Sequence, residues 1–148
     1  VIHTMSKSRS LAGLRVGYAA GDKGLIEALC RIRDSFNSYT LDRAALVGAE
    51  AAVRSEAYYT DINKRIIATR ERCIAALNAM HFTVIPSAAN FLFVKAPGVS
   101  GLNFTKGLRD RGILVRHWNK GRIADFVRVS IGTDADMDCF LAACKELI

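Results

Sequence analysis

No run of eighteen uncharged apolar residues occurs in the sequence, and its opening, VIHTMSK, has no basic segment followed by a long apolar one. Neither a membrane-spanning helix nor a secretory leader is therefore expected, and a soluble cytoplasmic protein is. There is no C-x-x-C: Cys30, Cys73, Cys139 and Cys144 lie far apart, and none has a histidine at metal-ligand spacing. No metal site is expected, and reduced thiols in apolar helical patterns are the plain reading for three of the four cysteines. The net charge is +7, yet the 21 Lys and Arg residues form no basic run, and no zinc-finger, RNP-like or KH-type motif is found. A nucleic-acid partner is therefore not expected, and a solvated basic face is the plain reading of the charge; an anionic small molecule or surface, or a non-catalytic basic interaction domain with an acidic partner, is the alternative. Internal repeats and low-complexity segments are absent. So is an initiator Met, and Val1 opens directly into apolar sequence, as expected if the chain begins inside a larger gene product.

What is present is a patterned α/β sequence. At 148 residues, with 51% hydrophobic and 24% charged content, it suits one domain, or one domain with part of another. A chain of this size buries roughly 68–70% of its unfolded surface. Leu14 to Ala20 (LRVGYAA) reads as a short buried strand bounded by glycines, and Asp22 as the cap of a helix from about Lys23. Phe36 to Thr40 (FNSYT) is turn-like, and Leu41 to Val53 returns to helix. A longer helix from about Ser55 to Met80 carries Ile62, Ile66, Cys73, Ile74, Leu77 and Met80 at three- and four-residue spacing, with charged outer positions such as Arg65, Glu71 and Arg72. Strands follow at 82–85 and 90–95, a helix over 102–111 closed by Gly112, strands at 113–116 and 126–131, and a final helix with Asp136 placed for a capping box.

Chemistry concentrates in TMSKSRSLAGLRVG, from Thr4 to Gly17. A lysine amine that attacks a carbonyl must be unprotonated, which nearby positive charge promotes, and Lys7 has Arg9 and Arg15 close in sequence. Hydroxyls at Thr4, Ser6, Ser8 and Ser10, with the planar donor pair of Arg15, suit a phosphate dianion. The same Ser-Lys-Ser-Arg-Ser string also suits a solvated loop or a phosphorylation site.

Ser-Lys followed by Leu-Ala-Gly-Leu-Arg-Val-Gly-Tyr resembles the lysine motif of the fold-type I aminotransferases, in which an arginine eight residues after the lysine meets the cofactor phosphate. Those residues here are Lys7 and Arg15. DSFNSYTLDR, PSAANFLFV, GILVRHWNK and FVRVSIGT extend the resemblance over essentially the whole chain, to the histidinol-phosphate branch of the family. The resemblance implies pyridoxal 5'-phosphate on Lys7, its phosphate held by Ser6, Thr4 and Arg15. It also implies transamination between histidinol phosphate and 2-oxoglutarate, small-molecule substrates of histidine biosynthesis, in a homodimer. By the same resemblance Arg116 and Arg128 face the anionic groups of the substrate, and the loop holding Asn37 and Tyr39 approaches the other subunit.

The strand ends Ile-Leu-Val-Arg and Phe-Val-Arg-Val-Ser agree with that role, because an interior arginine is unfavourable unless an anion pairs with it. An ion pair with Asp125 or Asp134 would serve equally. Asn90 is either a substrate neighbour or a turn residue. His117 and Trp118 either line a pocket or pack, and His3 and His81 have no partner spacing. The implied architecture is a remnant of the cofactor-binding large domain, residues 1–54, joined by the long helix to a small two-layer α+β domain, residues 55–148. A carboxylate for the pyridine nitrogen and a stacking aromatic precede the lysine in this family, and neither stands before Lys7. The 148-residue chain alone is therefore expected to bind the cofactor poorly and to lack useful turnover.

Overall fold

A computed structural model describes every residue from Val1 to Ile148. The chain divides into two compact units, Val1–Asn63 and Lys64–Ile148.

The first unit begins with β1 (Ile2–Thr4), a strand too short to register in the hydrophobic pattern, which pairs antiparallel with β2 (Gly17–Ala19). The expected buried strand over residues 14–20 shrinks to β2, whose three residues are all exposed. Two local features stop it. Ala12–Leu14 winds into a 3₁₀ turn, and Arg15 adopts φ 56°, a left-handed conformation incompatible with extended pairing. Where the strands meet, Gly17 is required: a Cβ there would stand 2.8 Å from the His3 carbonyl oxygen.

Asp22 caps α1 (Lys23–Phe36) by accepting from the Gly24 amide at 2.9 Å, and Asp42 caps α2 (Arg43–Arg54) by accepting from Ala45 at 2.7 Å. Met5, Val16, Ala45 and Ala49 form a small core, with Leu11, Leu14 and Leu41 packed against it. This core pins both ends of the segment that carries Lys7 against α2. The apolar side of α1, by contrast, buries none of its residues.

The long helix α3 (Glu56–Ala79) runs close to its expected span, and the division between the units falls within it. The second unit contains a four-stranded antiparallel sheet in the order β3-β4-β6-β5: β3 (Thr83–Ile85), β4 (Phe91–Lys95), β5 (Arg116–His117) and β6 (Phe126–Ser130). Strand alternation sends Leu92, Val94, Val127 and Val129 to one face, where they are buried. There they meet Cys73 and Leu77 of α3, Phe104 and Leu108 of α4 (Gly101–Asp110), and Met137, Phe140 and Cys144 of α5 (Asp134–Leu147). Burial of each large side chain contributes about 1.5–3 kcal/mol, so this layer dominates the stability of the unit. α5 starts with the expected capping box: Thr133 accepts from the Asp136 amide, and the Asp136 carboxylate accepts from the Thr133 amide.

β5 is shorter than the strand expected over residues 113–116. The Ile113 amide donates to the Leu108 carbonyl at 2.9 Å, so it closes α4 and is withdrawn from the sheet. Gly112, at φ 77°, makes that reversal.

Of the three cysteines expected in helical cores, Cys73 and Cys144 are fully buried and Cys30 is half-buried, while Cys139 is exposed. Burial pushes the Cys144 thiol up to about 12 and also raises Cys73. An unfolded cysteine ionises near 8.5. The Cys144 contribution to stability is therefore complete below about pH 8.5 and is lost as pH climbs toward about 12. At pH 8, iodoacetamide is expected to label Cys139 while Cys144 stays protected until denaturant is added, as read by peptide mass. Equal labelling rates would contradict the buried assignment.

Candidate active site

The segment from Met5 to Val16 is a closed loop. The Met5 amide donates to the Val16 carbonyl at 3.1 Å, and the Leu11 amide to the Met5 carbonyl at 3.0 Å. Lys7 stands at the tip, exposed, in a turn whose Ser10 amide donates to the Lys7 carbonyl at 3.0 Å. It has no carboxylate partner, so its amine is uncommitted.

Thr4 and Ser6 are brought together at the entry to this turn. Thr4 Oγ1 donates to Ser6 Oγ at 3.0 Å and accepts from the Ser6 amide at 3.2 Å. The left-handed Arg15 is exposed and spends one donor on the Ala12 carbonyl at 2.9 Å, leaving the rest of its guanidinium free. An uncommitted amine, a hydroxyl pair and a free guanidinium in one closed loop fit an aldehyde-bearing phosphate cofactor.

Arg9, two residues from Lys7, was expected only as nearby charge. It pairs with Glu56 at the start of α3 and lies over the Tyr59 ring at 5.2 Å, which ties the lysine turn to that helix. The Arg9 guanidinium holds the Glu56 carboxyl below its ordinary value. A cavity of about 460 Å³ opens among His3, Thr4, Met5, Ser8, Arg9, Tyr18 and Val53. Neither Lys7 nor Arg15 lines it, so the uncommitted lysine, not this hollow, marks the candidate site. Asn37 Oδ1 accepts from the Tyr39 amide at 3.1 Å, and the Tyr39 ring is 91% exposed.

In the second unit Arg116 of β5 and Arg128 of β6 are direct cross-strand partners, so both rise from the sheet face opposite the helical layer. Like charges placed opposite each other destabilise a sheet. The alternative of structural ion pairs is overturned, because both proposed carboxylates are engaged elsewhere. Asp125 is 2.8 Å from Lys95, and Asp134 accepts from Thr69 at 2.8 Å and from Arg72 at 3.2 Å. Those bonds also hold both carboxyls below their ordinary values.

The arginines meet Trp118 instead: Arg116 lies 5.4 Å and Arg128 5.6 Å from its ring, and Arg128 also covers Phe91 at 5.4 Å. Phe93 stacks on Phe126 at 4.9 Å and meets Trp118 edge-on. Two guanidiniums without a carboxylate partner thus stand together on an aromatic floor. Asn90, just before β4, does not join the arginines: its carbonyl accepts from the Ile131 amide at 2.9 Å, alternation puts it on the side of the buried Leu92, and its Oδ1 is buried without a hydrogen-bond partner. His117 does not join the arginines; its Nε2 lies 2.7 Å from the Ala124 carbonyl.

Sequence reasoning left Trp118 open and missed Phe91 altogether, although strand alternation from the buried Leu92 places Phe91 on the arginine face. No group of three or more His, Cys, Asp or Glu side chains converges as metal ligands do, and no helix is long and apolar enough to cross a membrane.

The histidinol-phosphate aminotransferase of Clostridium acetobutylicum is 51% identical over 148 residues, covering 100% of this chain and 42% of that protein. Histidinol-phosphate aminotransferase 1 of Bordetella parapertussis is 48% identical over 99% of this chain and 41% of its own length. The chain thus spans about two fifths of the length of the curated relatives it matches. Among solved structures, histidinol-phosphate aminotransferase from Sinorhizobium meliloti in complex with pyridoxal-5'-phosphate superposes with a TM-score of 0.83 at 29% identity, over 99% of this chain and 40% of that one. The α/β architecture is that of the fold-type I aminotransferases over the whole chain. Residues 1–143 match the family model of aminotransferase class I and II, and the chain belongs to that family.

Proposed function

We propose that this chain, within a protein of its relatives' length, serves the pyridoxal-phosphate-dependent transfer of an amino group from histidinol phosphate to 2-oxoglutarate in histidine biosynthesis. The observation that carries the reading is the Arg116–Arg128 pair, held side by side with no carboxylate to neutralise it. Both substrates are anions, one a phosphate monoester and the other a dicarboxylate, and each would relieve the repulsion between the guanidiniums.

When bound, pyridoxal phosphate supplies an electron sink for the pair released at the substrate Cα. Lys7 Nζ would hold the cofactor covalently and, once displaced by the incoming amine, take the proton from the substrate Cα as a general base. Thr4, Ser6 and Arg15 would hold the phosphate, fixing the cofactor so that Nζ works from one side only. Arg128, braced between Phe91 and Trp118, and the more exposed Arg116 would orient the substrate anion.

In this reading residues 1–54 close a cofactor-binding domain and residues 55–148 form a small substrate-binding one. A homodimer fits the turn at 36–40, where Phe36 and Tyr39 are each 91% exposed. Free cysteines suit a cytoplasmic location.

The test supplies the protein at its relatives' length with histidinol phosphate and 2-oxoglutarate and follows glutamate. Glutamate formed faster with histidinol phosphate than with phenylalanine is the expected result. A preference for phenylalanine would reassign the substrate, and no transfer to any 2-oxo acid would end the aminotransferase reading.

A further inference from the structure

We propose that Trp118 is a positioning residue for the substrate site, holding Arg116 and Arg128 side by side while leaving both charged and free to bind; the proposal rests on the reading of that site given above. Two like charges directly opposite each other on β5 and β6 repel. A carboxylate between them would remove the repulsion, but it would also occupy the N–H donors and cancel the charge that an anionic ligand needs. An aromatic ring acts differently. Its negative face attracts a guanidinium without taking up the N–H donors in hydrogen bonds. Trp118 is the ring that both arginines share: Arg116 lies 5.4 Å and Arg128 5.6 Å from its centroid.

The indole is itself held in place. Phe93 meets it edge-on at 6.4 Å and is stacked on Phe126 at 4.9 Å, so it rests against a row of rings from β4 and β6. Its backbone is tied on both sides. The Trp118 carbonyl accepts from the Lys120 amide at 2.9 Å, and His117 Nε2 lies 2.7 Å from the Ala124 carbonyl, which closes the loop between β5 and β6. The two arginines depend on this ring unequally. Arg128 also lies over Phe91 at 5.4 Å, whereas Arg116 lies over Trp118 alone. Loss of the indole therefore releases Arg116 first, and with it the contact which that arginine offers the substrate anion. Trp118 would act through the arginines, without bonding the ligand itself.

The experiment uses the protein at its relatives' length, with Trp118→Phe, Trp118→Leu, Arg116→Ala and the double variant Trp118→Leu/Arg116→Ala. Trp118→Leu keeps an apolar side chain but loses the ring, and is expected to raise KM for histidinol phosphate about 5- to 30-fold. The rise should be smaller for histidinol, and kcat should change far less than KM. Trp118→Phe keeps a ring face and should bring KM back to within about threefold of the parent. The double variant should be little worse than Arg116→Ala, because no second cation remains to be held. A packing role alone would lower melting temperature and leave KM unchanged. Trp118→Phe no better than Trp118→Leu would show that the ring face is not what matters, and fully multiplicative losses would show that Trp118 and Arg116 act separately. Each of these three results overturns the proposal. Should the leucine variant not fold, 5-fluorotryptophan in the otherwise unaltered protein decides: the Trp118 resonance, assigned by its loss in Trp118→Phe, should shift on saturation with histidinol phosphate, and an unmoved resonance is equally fatal. If Arg128→Ala raises KM while Trp118→Leu keeps the parental value, only this inference fails; if Arg128→Ala keeps it too, the reading of the substrate site beneath it fails.

Discussion

Lys7→Ala in the protein at its relatives' length is expected to abolish amino transfer while leaving the fold intact. Lys7 is exposed at the tip of a turn, its side chain has no ion pair, and the turn is closed by its backbone carbonyl, which alanine retains. Truncation of such a side chain shifts stability by no more than about 0.5 kcal/mol. Catalysis is different, because two roles fall on one nitrogen. Loss of the general base alone costs about 10²–10⁴-fold, and loss of covalent attachment adds to it. Lys7→Arg sharpens the test: it keeps the positive charge but stays protonated throughout the working pH range, so it should be as inactive as alanine. Two measurements check this, glutamate formation and the cofactor mass fixed on the protein by borohydride. Turnover within tenfold of the parent in Lys7→Arg would show that Lys7 supplies charge and not proton transfer.

The parts of the fold that could be read from the sequence are those whose causes are local. The α3 and α5 patterns repeat at helical spacing, and the Thr133–Asp136 cap is written within four consecutive residues. Where the reading failed, a competing local bond had won. Residues 14–20 look like a buried strand by composition, but the left-handed Arg15 and the 3₁₀ turn before it leave only Gly17–Ala19 extended. Ile113 looks like the start of a strand, but its amide is spent on the end of α4.

The candidate site divides in the same way. Lys7, Thr4, Ser6 and Arg15 could be named because one short motif contains them all. Arg116 and Arg128 could be named singly, but their register across β5 and β6 depends on pairing that no local pattern encodes. Nor does any local pattern show that Asp125 and Asp134 are already engaged by Lys95, Thr69 and Arg72.

The arginine pair gives the second large effect, and its sign separates function from structure. Arg128→Ala is expected to weaken binding of both histidinol phosphate and 2-oxoglutarate by roughly 2–5 kcal/mol, the range for removing one partner of a close charge pair. That corresponds to a rise in Kd of about 30-fold to several thousandfold. Stability should move little. The variant loses stacking on Phe91 and Trp118, about 0.5–1 kcal/mol for each exposed contact, but it also relieves the repulsion from Arg116 directly opposite. A structural arginine would behave in the opposite way, with a clear fall in melting temperature and little change in affinity. Arg116 is more exposed and lies over one ring, Trp118, where Arg128 lies over two, so its alanine variant should lose less. Its loss should also be selective, larger for histidinol phosphate than for histidinol. If Arg116→Ala weakens the phosphorylated and unphosphorylated compounds equally, the phosphate role assigned to it is wrong, and the dianion must be held by Arg128 alone or by groups outside this chain.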